Sequence, residues 1–297
     1  VAGKWNGTNT GLNVTVPIAN DASLNTTGTV QIQGKVGSNS YASLGDAATI
    51  SAINENKTVS ITAAQLEALT GFADAGVVTL TAILTDAAGN ATTGTASSTT
   101  ITIDQTVPAA FTTGSAVTTG GTVAAGKWNS TNTGLDVTVP IANDASLNTT
   151  GTVQIQGKVG SNSYASLGDA ATISAINENK TVSITAAQLE ALTGFADAGV
   201  VTLTAILTDA AGNAATGTFS STTITIDQTV PAAFTTGTVA ATGGTVVANK
   251  WNSTNTGLDV TVPIANDASL NTTGTVQIQG KVGSNSYASL GDAATIS

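Results

Sequence analysis

The strongest constraint on this chain is that it repeats itself every 123 residues. Lys4-Trp5-Asn6 returns as Lys127-Trp128-Asn129 and again as Lys250-Trp251-Asn252, and Val14–Ala91 is identical to Val137–Ala214. Nine positions differ between residues 1–123 and 124–246, among them Asn13 against Asp136 and Ala96 against Phe219. The 297 residues hold two full periods and 51 residues of a third, so the sequence reads as a window on a longer tandem array. A period of this length is a whole domain, well beyond the roughly 20–47 residues of a solenoid unit.

One unit's composition, copied, sets the chemistry of the whole. The chain has no Cys, His, Met or Arg, and its eight lysines face 18 carboxylates for a net charge of -10. Ser-His-Asp and Cys-His nucleophiles, Cys/His metal sites and disulfides are therefore excluded. With no arginine and no basic patch, nucleic acid is not an expected partner. No apolar run approaches the ~20 residues of a membrane span, so no span is expected in this segment. At 41% hydrophobic residues the sequence is too apolar for a disordered acidic tail. Thr supplies 25 of residues 1–123, but repeated aliphatic alternation and only five prolines argue against a mucin-like stalk.

The alternation predicts strands. In the second period it runs through Leu135–Ile141, Val153–Gln156, Thr181–Ile184, Val201–Ala205 and Ile224–Ile226, with Thr and Gln facing one way and Val, Ile and Leu the other. Asn177-Glu178-Asn179-Lys180 reads as a polar turn and Asp209-Ala210-Ala211-Gly212-Asn213 as a tighter hairpin. Thr185-Ala186-Ala187-Gln188 matches a capping box, Leu189 and Leu192 sit three apart, and Gly194 ends a short helix. The expected fold is all-β: tandem antiparallel Greek-key β-sandwiches of about seven strands each, with one short helix in the crossover between sheets.

At this point the sequence resembles the Ig-like tandem-repeat domains of giant bacterial extracellular adhesins. The residues that carry the likeness are Leu84-Thr85-Asp86-Ala87-Ala88-Gly89-Asn90 and Ile101-Thr102-Ile103-Asp104-Gln105-Thr106-Val107-Pro108. They look like the hairpin and final strand of such repeats, the latter opening the next domain. The likeness spans the chain and is strongest to the extender or stalk region. It divides the chain into 1–104, without its first strand, a complete repeat at 105–227, and 228–297, without its C-terminal part.

An Ig-like topology puts the linker entering a repeat beside that repeat's B–C and F–G loops. Asp104 is then expected near Asn143, Asp144, Asp209 and Asn213, and Asp227 near Asn266 and Asp267. Asn20, Asp21, Asp86 and Asn90 form the equivalent set of the first repeat. Carboxylates with amide and carbonyl oxygens suit Ca²⁺, which takes 6–8 hard oxygen ligands. The resemblance implies the same, since related stalks stiffen their joints with interdomain calcium. Turn formation alone is the other reading of these Asp and Asn residues. Glu178, Asp169, Asp197 and Glu190 are read as solvated loop residues.

Trp128 is expected to anchor the core, with carbohydrate stacking as the other use of a lone aromatic. Phe195 is expected under the helical crossover and Tyr164 at a strand edge. Near-identical tandem copies do not suit an enzyme, and repetition suits length and avidity. The expected function is a non-catalytic stalk or filament module at a bacterial cell surface, touching neighbouring repeats and possible other copies in a filament. A laterally self-assembling extracellular fibre or sheath subunit is one alternative, and a carbohydrate-binding module another.

Overall fold

A computed structural model describes residues 3–148, 150–267, 270 and 274–296. The chain divides into two compact units, Val1–Asp227 and Gln228–Ser297. The first unit holds two separate hydrophobic cores, one per repeat.

The first repeat runs β1 (Lys4–Trp5), β2 (Gly11–Ile18), β3 (Thr29–Val36), β4 (Ala42–Ser43), β5 (Ala48–Thr49), β6 (Glu55–Thr62), α1 (Ala63–Glu67), β7 (Val77–Thr85), β8 (Ala91–Thr93) and β9 (Ile101–Ile103). The second runs β10 (Ala116–Thr119), β11 (Lys127–Trp128), β12 (Gly134–Ile141), β13 (Thr152–Val159), β14 (Ala165–Ser166), β15 (Ala171–Thr172), β16 (Glu178–Thr185), α2 (Ala186–Glu190), β17 (Val200–Thr208), β18 (Ala214–Thr216) and β19 (Ile224–Ile226). In the second repeat one sheet has the order β11-β19-β17-β13-β14, with β15 beside β13 and β18 beside β17, and the facing sheet is β10-β12-β16. The chain changes sheet between β12 and β13 and again through α2. The result is an Ig-like β-sandwich.

Period-two alternation decides which face is buried. In β13, Val153, Ile155, Gly157 and Val159 point inward and the residues between them are half-exposed. Gly157 is required for packing, because a Cβ there would lie 2.9 Å from Leu167 Cδ1 and 3.2 Å from Leu192 Cδ1. The helix forms as its capping box dictates: Gln188 N donates to Thr185 Oγ1 (3.3 Å) and Thr185 N to Gln188 Oε1 (2.9 Å). It buries Leu189, with Leu192 behind it, and Gly194 takes the left-handed φ of 82° that favours glycine.

One turn is displaced from its expected place. Glu178, Asn179 and Lys180 are the opening residues of β16, paired with Ile141, Pro140 and Val139. The reversal is completed by Asn177, whose φ is 61°. Cross-strand pairing with β12 overrides the low strand propensity of Glu-Asn-Lys, as tertiary context often does.

Among its described residues the second unit has β20 (Val239–Thr242), β21 (Gly257–Val260), β22 (Thr275–Val276), β23 (Gln279–Gly280), β24 (Ala288–Ser289) and β25 (Ala294–Thr295), in three two-stranded sheets. Trp251 is 60% exposed there, whereas Trp5 and Trp128 are buried. Among the described residues no helix is long and apolar enough to cross a membrane.

Candidate functional site at the repeat junction

The hairpin between β17 and β18 builds the upper half of the junction. Asp209 N donates to Asn213 O (2.9 Å) and Gly212 N to Asp209 O (3.2 Å). Gly212 sits at φ 92°, which only glycine adopts readily. The Asp209 carboxylate ties the turn internally: Oδ1 accepts from Ala211 N (2.8 Å) and Asn213 N (2.9 Å), and Oδ2 from Asn213 Nδ2 (2.9 Å). This is an Asx-turn extended by a side-chain amide. The same bonds recur in the first repeat around Asp86 and Asn90, so the loop is preorganised by its own sequence.

The surroundings of the two loops differ. Asp86 lies partly open and Asn90 is exposed, while Asp209 and Asn213 are buried. What covers the second loop is the end of the first repeat. Asn213 Nδ2 donates to the Asp104 carbonyl (2.8 Å) and lies 3.5 Å from Asp104 Oδ1. From the other side Asn6 Nδ2 donates to Ala211 O (2.6 Å). Asn6 is aimed there because its Oδ1 is held by Thr8 N (2.9 Å) and Thr8 Oγ1 (2.7 Å). Next to it, Trp5 is in the core of the first repeat and its carbonyl accepts from Asp104 N (2.8 Å).

The linker leaving the junction is fastened too. Asp74, in the loop after α1, accepts from Gln105 N (2.6 Å) through Oδ1 and from Thr106 Oγ1 through Oδ2. These bonds, the Thr106 hydroxyl first, hold the Asp74 carboxyl below its usual pKa. Neither Asn6 nor Asp74 was anticipated from sequence. The available signal for Asn6 was the Trp-Asn pair present in every period; Asp74 is recognisable only once the fold brings its loop to the linker. The expectation of solvated acids is corrected at Glu190, which ends α2 and accepts the indole N–H of Trp128 (3.2 Å).

Of the expected cluster, Asp104, Asp209 and Asn213 come together. Asn143 stays exposed, and Asp144 directs Oδ1 to Ser146 N (2.9 Å) and Oγ (2.7 Å). The two loops still touch, through Ala210 N to Ser146 O (3.2 Å). In the first repeat Asn20 and Asp21 are exposed, and Asp21 makes the same bonds to Ser23. Asp227 donates its amide to Trp128 O (2.8 Å) at the end of the first unit. In the second unit Asp267 N donates to Ala265 O (2.8 Å), beside Asn266.

The chain is all-β, built of tandem Ig-like sandwiches. No protein family matches it, nor does any curated protein. Among solved structures it is similar to the chicken CNTN1 FN1–FN3 domains, at 12% identity and a TM-score of 0.37. That match covers 75% of this chain and 63% of the other.

Electrostatically the junction brings like charges together. The Asp104 carboxyl is pushed above its usual pKa by burial first, then by Asp209 and Asp74, and Lys4 opposes this. As to a cation, the gathered oxygens are two carboxylates and the Asp104 carbonyl, and the Asn213 amide nitrogen lies among them. Among the described residues no three carboxylates are close enough to form a metal-binding group. The residues as placed thus make a hydrogen-bonded joint and only part of the 6–8 oxygen shell that calcium requires.

The raised Asp104 pKa has a definite sign. Between its ordinary and raised values the folded protein binds more protons than the unfolded chain, so this group adds stability as pH falls through that window. Asp74, Asp86 and Asp21 have lowered folded pKa values, so their contribution is lost as pH falls further. Wild type should therefore gain melting temperature relative to Asp104→Asn on mild acidification from pH 7, before both fall. Parallel calorimetric melts that track each other across this range would exclude the effect.

Proposed function

We propose that the chain is a rigid, non-catalytic spacer in the stalk of a bacterial extracellular adhesin, at the cell surface. The observation that carries this reading is the hairpin loop Asp86–Asn90 of the first repeat and Asp209–Asn213 of the second. One sequence, folded identically in two repeats, is open in the first and buried in the second against the preceding repeat. A loop preorganised before it docks can join successive copies with little further ordering cost. Each copy adds about 40 Å, from strands of five to eight residues plus loops. Near-identical units and a fastened linker favour a uniform rod.

Calcium is part of the proposal for this joint. What supports it is the residual repulsion between Asp104 and Asp209, which a divalent cation would relieve. Asp104 and Asp209 would hold the ion, with water completing the shell; the Asn213 amide would have to turn its oxygen inward. The bound cation would supply stiffness, and the chain's own hydrogen bonds keep the loops in place without it. In calcium the melting temperature and hydrodynamic length should both exceed those in EDTA, and Asp104→Asn should abolish the difference. Identical values in the two buffers would remove calcium from the joint and leave the hydrogen-bonded spacer standing.

The burial of Trp5 and Trp128 disfavours the carbohydrate-binding alternative for the first two repeats, since it needs an indole on an open surface. Trp128 lies edge-on to Phe195, with ring centroids 6.5 Å apart, beneath the helical crossover as expected.

A further inference from the structure

The identity of the first two repeats reaches the contacts that hold each sandwich together. Val14–Ala91, returning as Val137–Ala214, runs from within β2 to the start of β8 and from within β12 to the start of β18. Each sandwich is made of two lengths of chain that meet at a short loop. In the first repeat β1–β5 and β6–β9 lie on either side of residues 50–54, and in the second β10–β15 and β16–β19 lie on either side of residues 173–177. The strand pairs that join the two lengths keep one register. Val14 lies opposite Val59 and Ile32 opposite Ala82, as Val137 lies opposite Val182 and Ile155 opposite Ala205. Beneath them Gly34 is packed by Leu69 and Leu80 as Gly157 is by Leu192 and Leu203.

Among the described residues one differing position falls in a strand pair between the two lengths, Asn13 against Asp136. Ser60 Oγ donates to Asn13 Oδ1 (2.8 Å) and Ser183 Oγ to Asp136 Oδ1 (2.6 Å), so the same serine suits either acceptor. The indole bonds that also cross between the lengths, Trp5 to Glu67 and Trp128 to Glu190, are equivalent too. Side chain for side chain, β1–β5 therefore complement β16–β19 as well as they complement β6–β9. What separates the two ways of pairing is the length of chain between them. Asn13 is 47 residues from Ser60 and 170 from Ser183, and loop closure makes the longer encounter about sevenfold rarer.

We propose that the first two repeats have a second folded state, an exchanged pair in which β1–β5 close on β16–β19 and β6–β9 close on β10–β15. The connections permit it. Residues 50–54 and 173–177 open to bridge the two sandwiches. Residues 104–110 turn back along β7, from the level of Val77, opposite Thr102, to that of Ala82. Ala82 is the level required, because its carbonyl accepts from Gly94 N as that of Ala205 accepts from Gly217 N, beside Phe111. Five strand residues cover about 17 Å, and seven extended residues reach about 23 Å. The exchange gives up the bonds of Asn213 to Asp104 and of Gln105 to Asp74, so separate repeats are the more stable state and the exchanged pair is reached on refolding. A chain that folds from its N-terminus as it emerges has β6–β9 at hand before β16–β19 exist. The order in which the repeats emerge, and not their sequence, then selects the pairing. The inference goes beyond the spacer reading, which takes each repeat as closing on itself.

The test uses the full 297-residue chain, which has no cysteine of its own, so an introduced pair reports alone. Asn13→Cys with Ser183→Cys places two exposed thiols opposite one another in the exchanged pair and in different repeats otherwise. Asn13→Cys with Ser60→Cys is the control, opposite in the separate repeats. Each variant is unfolded in denaturant with reductant, refolded at micromolar concentration, and oxidised only once folding is complete, with its melting curve checked beside wild type. The first variant should then give a monomeric, internally bridged species in non-reducing electrophoresis, at up to roughly one-seventh of the control yield. The same variant purified without unfolding should give none. If the control closes and the first variant gives no internal disulfide after refolding, the proposal is overturned. A disulfide found only between chains overturns it as well, and so does one formed equally without unfolding.

Discussion

Trp128→Ala should destabilise the second repeat by about 3–5 kcal/mol, the range for deleting a large buried aromatic. The side chain is fully buried, rests edge-on against Phe195, and satisfies its N–H on Glu190, so truncation removes core volume and an aromatic pair together. Trp5→Ala should do the same to the first repeat, where Phe72 and Glu67 play the same parts. Trp251→Ala should change stability by less than about 1 kcal/mol, because that indole is 60% exposed. Calorimetry of the three variants checks the order. Equal losses would mean the indoles are not the anchors of their sandwiches.

The second large effect separates turn chemistry from junction chemistry. Asp209→Ala and Asp86→Ala delete the same carboxylate from the same loop, and both free the same three donors. In the first repeat water can reach those donors, so Asp86→Ala should be the milder of the two. In the second they are buried against the preceding repeat, and Asp209→Ala should cost about 2–4 kcal/mol. That variant should also make the junction more sensitive to proteases near Gln105–Pro108. Equal costs would show that burial at the junction does not add to the loop's own stability.

Much of the fold was legible because long strands such as β3 and β13 alternate inward and outward residues, and the capping box fixed the helix start to the residue. The Asp209–Asn213 hairpin was legible for the same local reason. Glu178–Lys180 was not, since their strand conformation comes from pairing with Val139–Ile141, a long-range contact that local propensity does not encode. At the junction, topology brought Asp104 to Asp209 and Asn213, but the direction of each side chain escaped prediction. Asp144 turns to Ser146 two residues on, a local bond that competes with any longer reach. Asn6 was overlooked because asparagine beside tryptophan carries no signal until a neighbouring repeat supplies the Ala211 carbonyl.

The parallel pairing of β11 with β19 sets how such a chain carries load. Lys127 lies opposite Thr225 and Trp128 opposite Ile226, so the repeat's second strand and its last run side by side in one direction. Tension between the two ends then slides these strands past each other along their length, straining their hydrogen bonds together instead of peeling them apart one by one. Trp128 sits on one of the sliding strands and is locked into the core, so displacement must also draw an indole out of its packing. A repeat pulled apart at this strand pair meets the force in shear, with the tryptophan as its bolt.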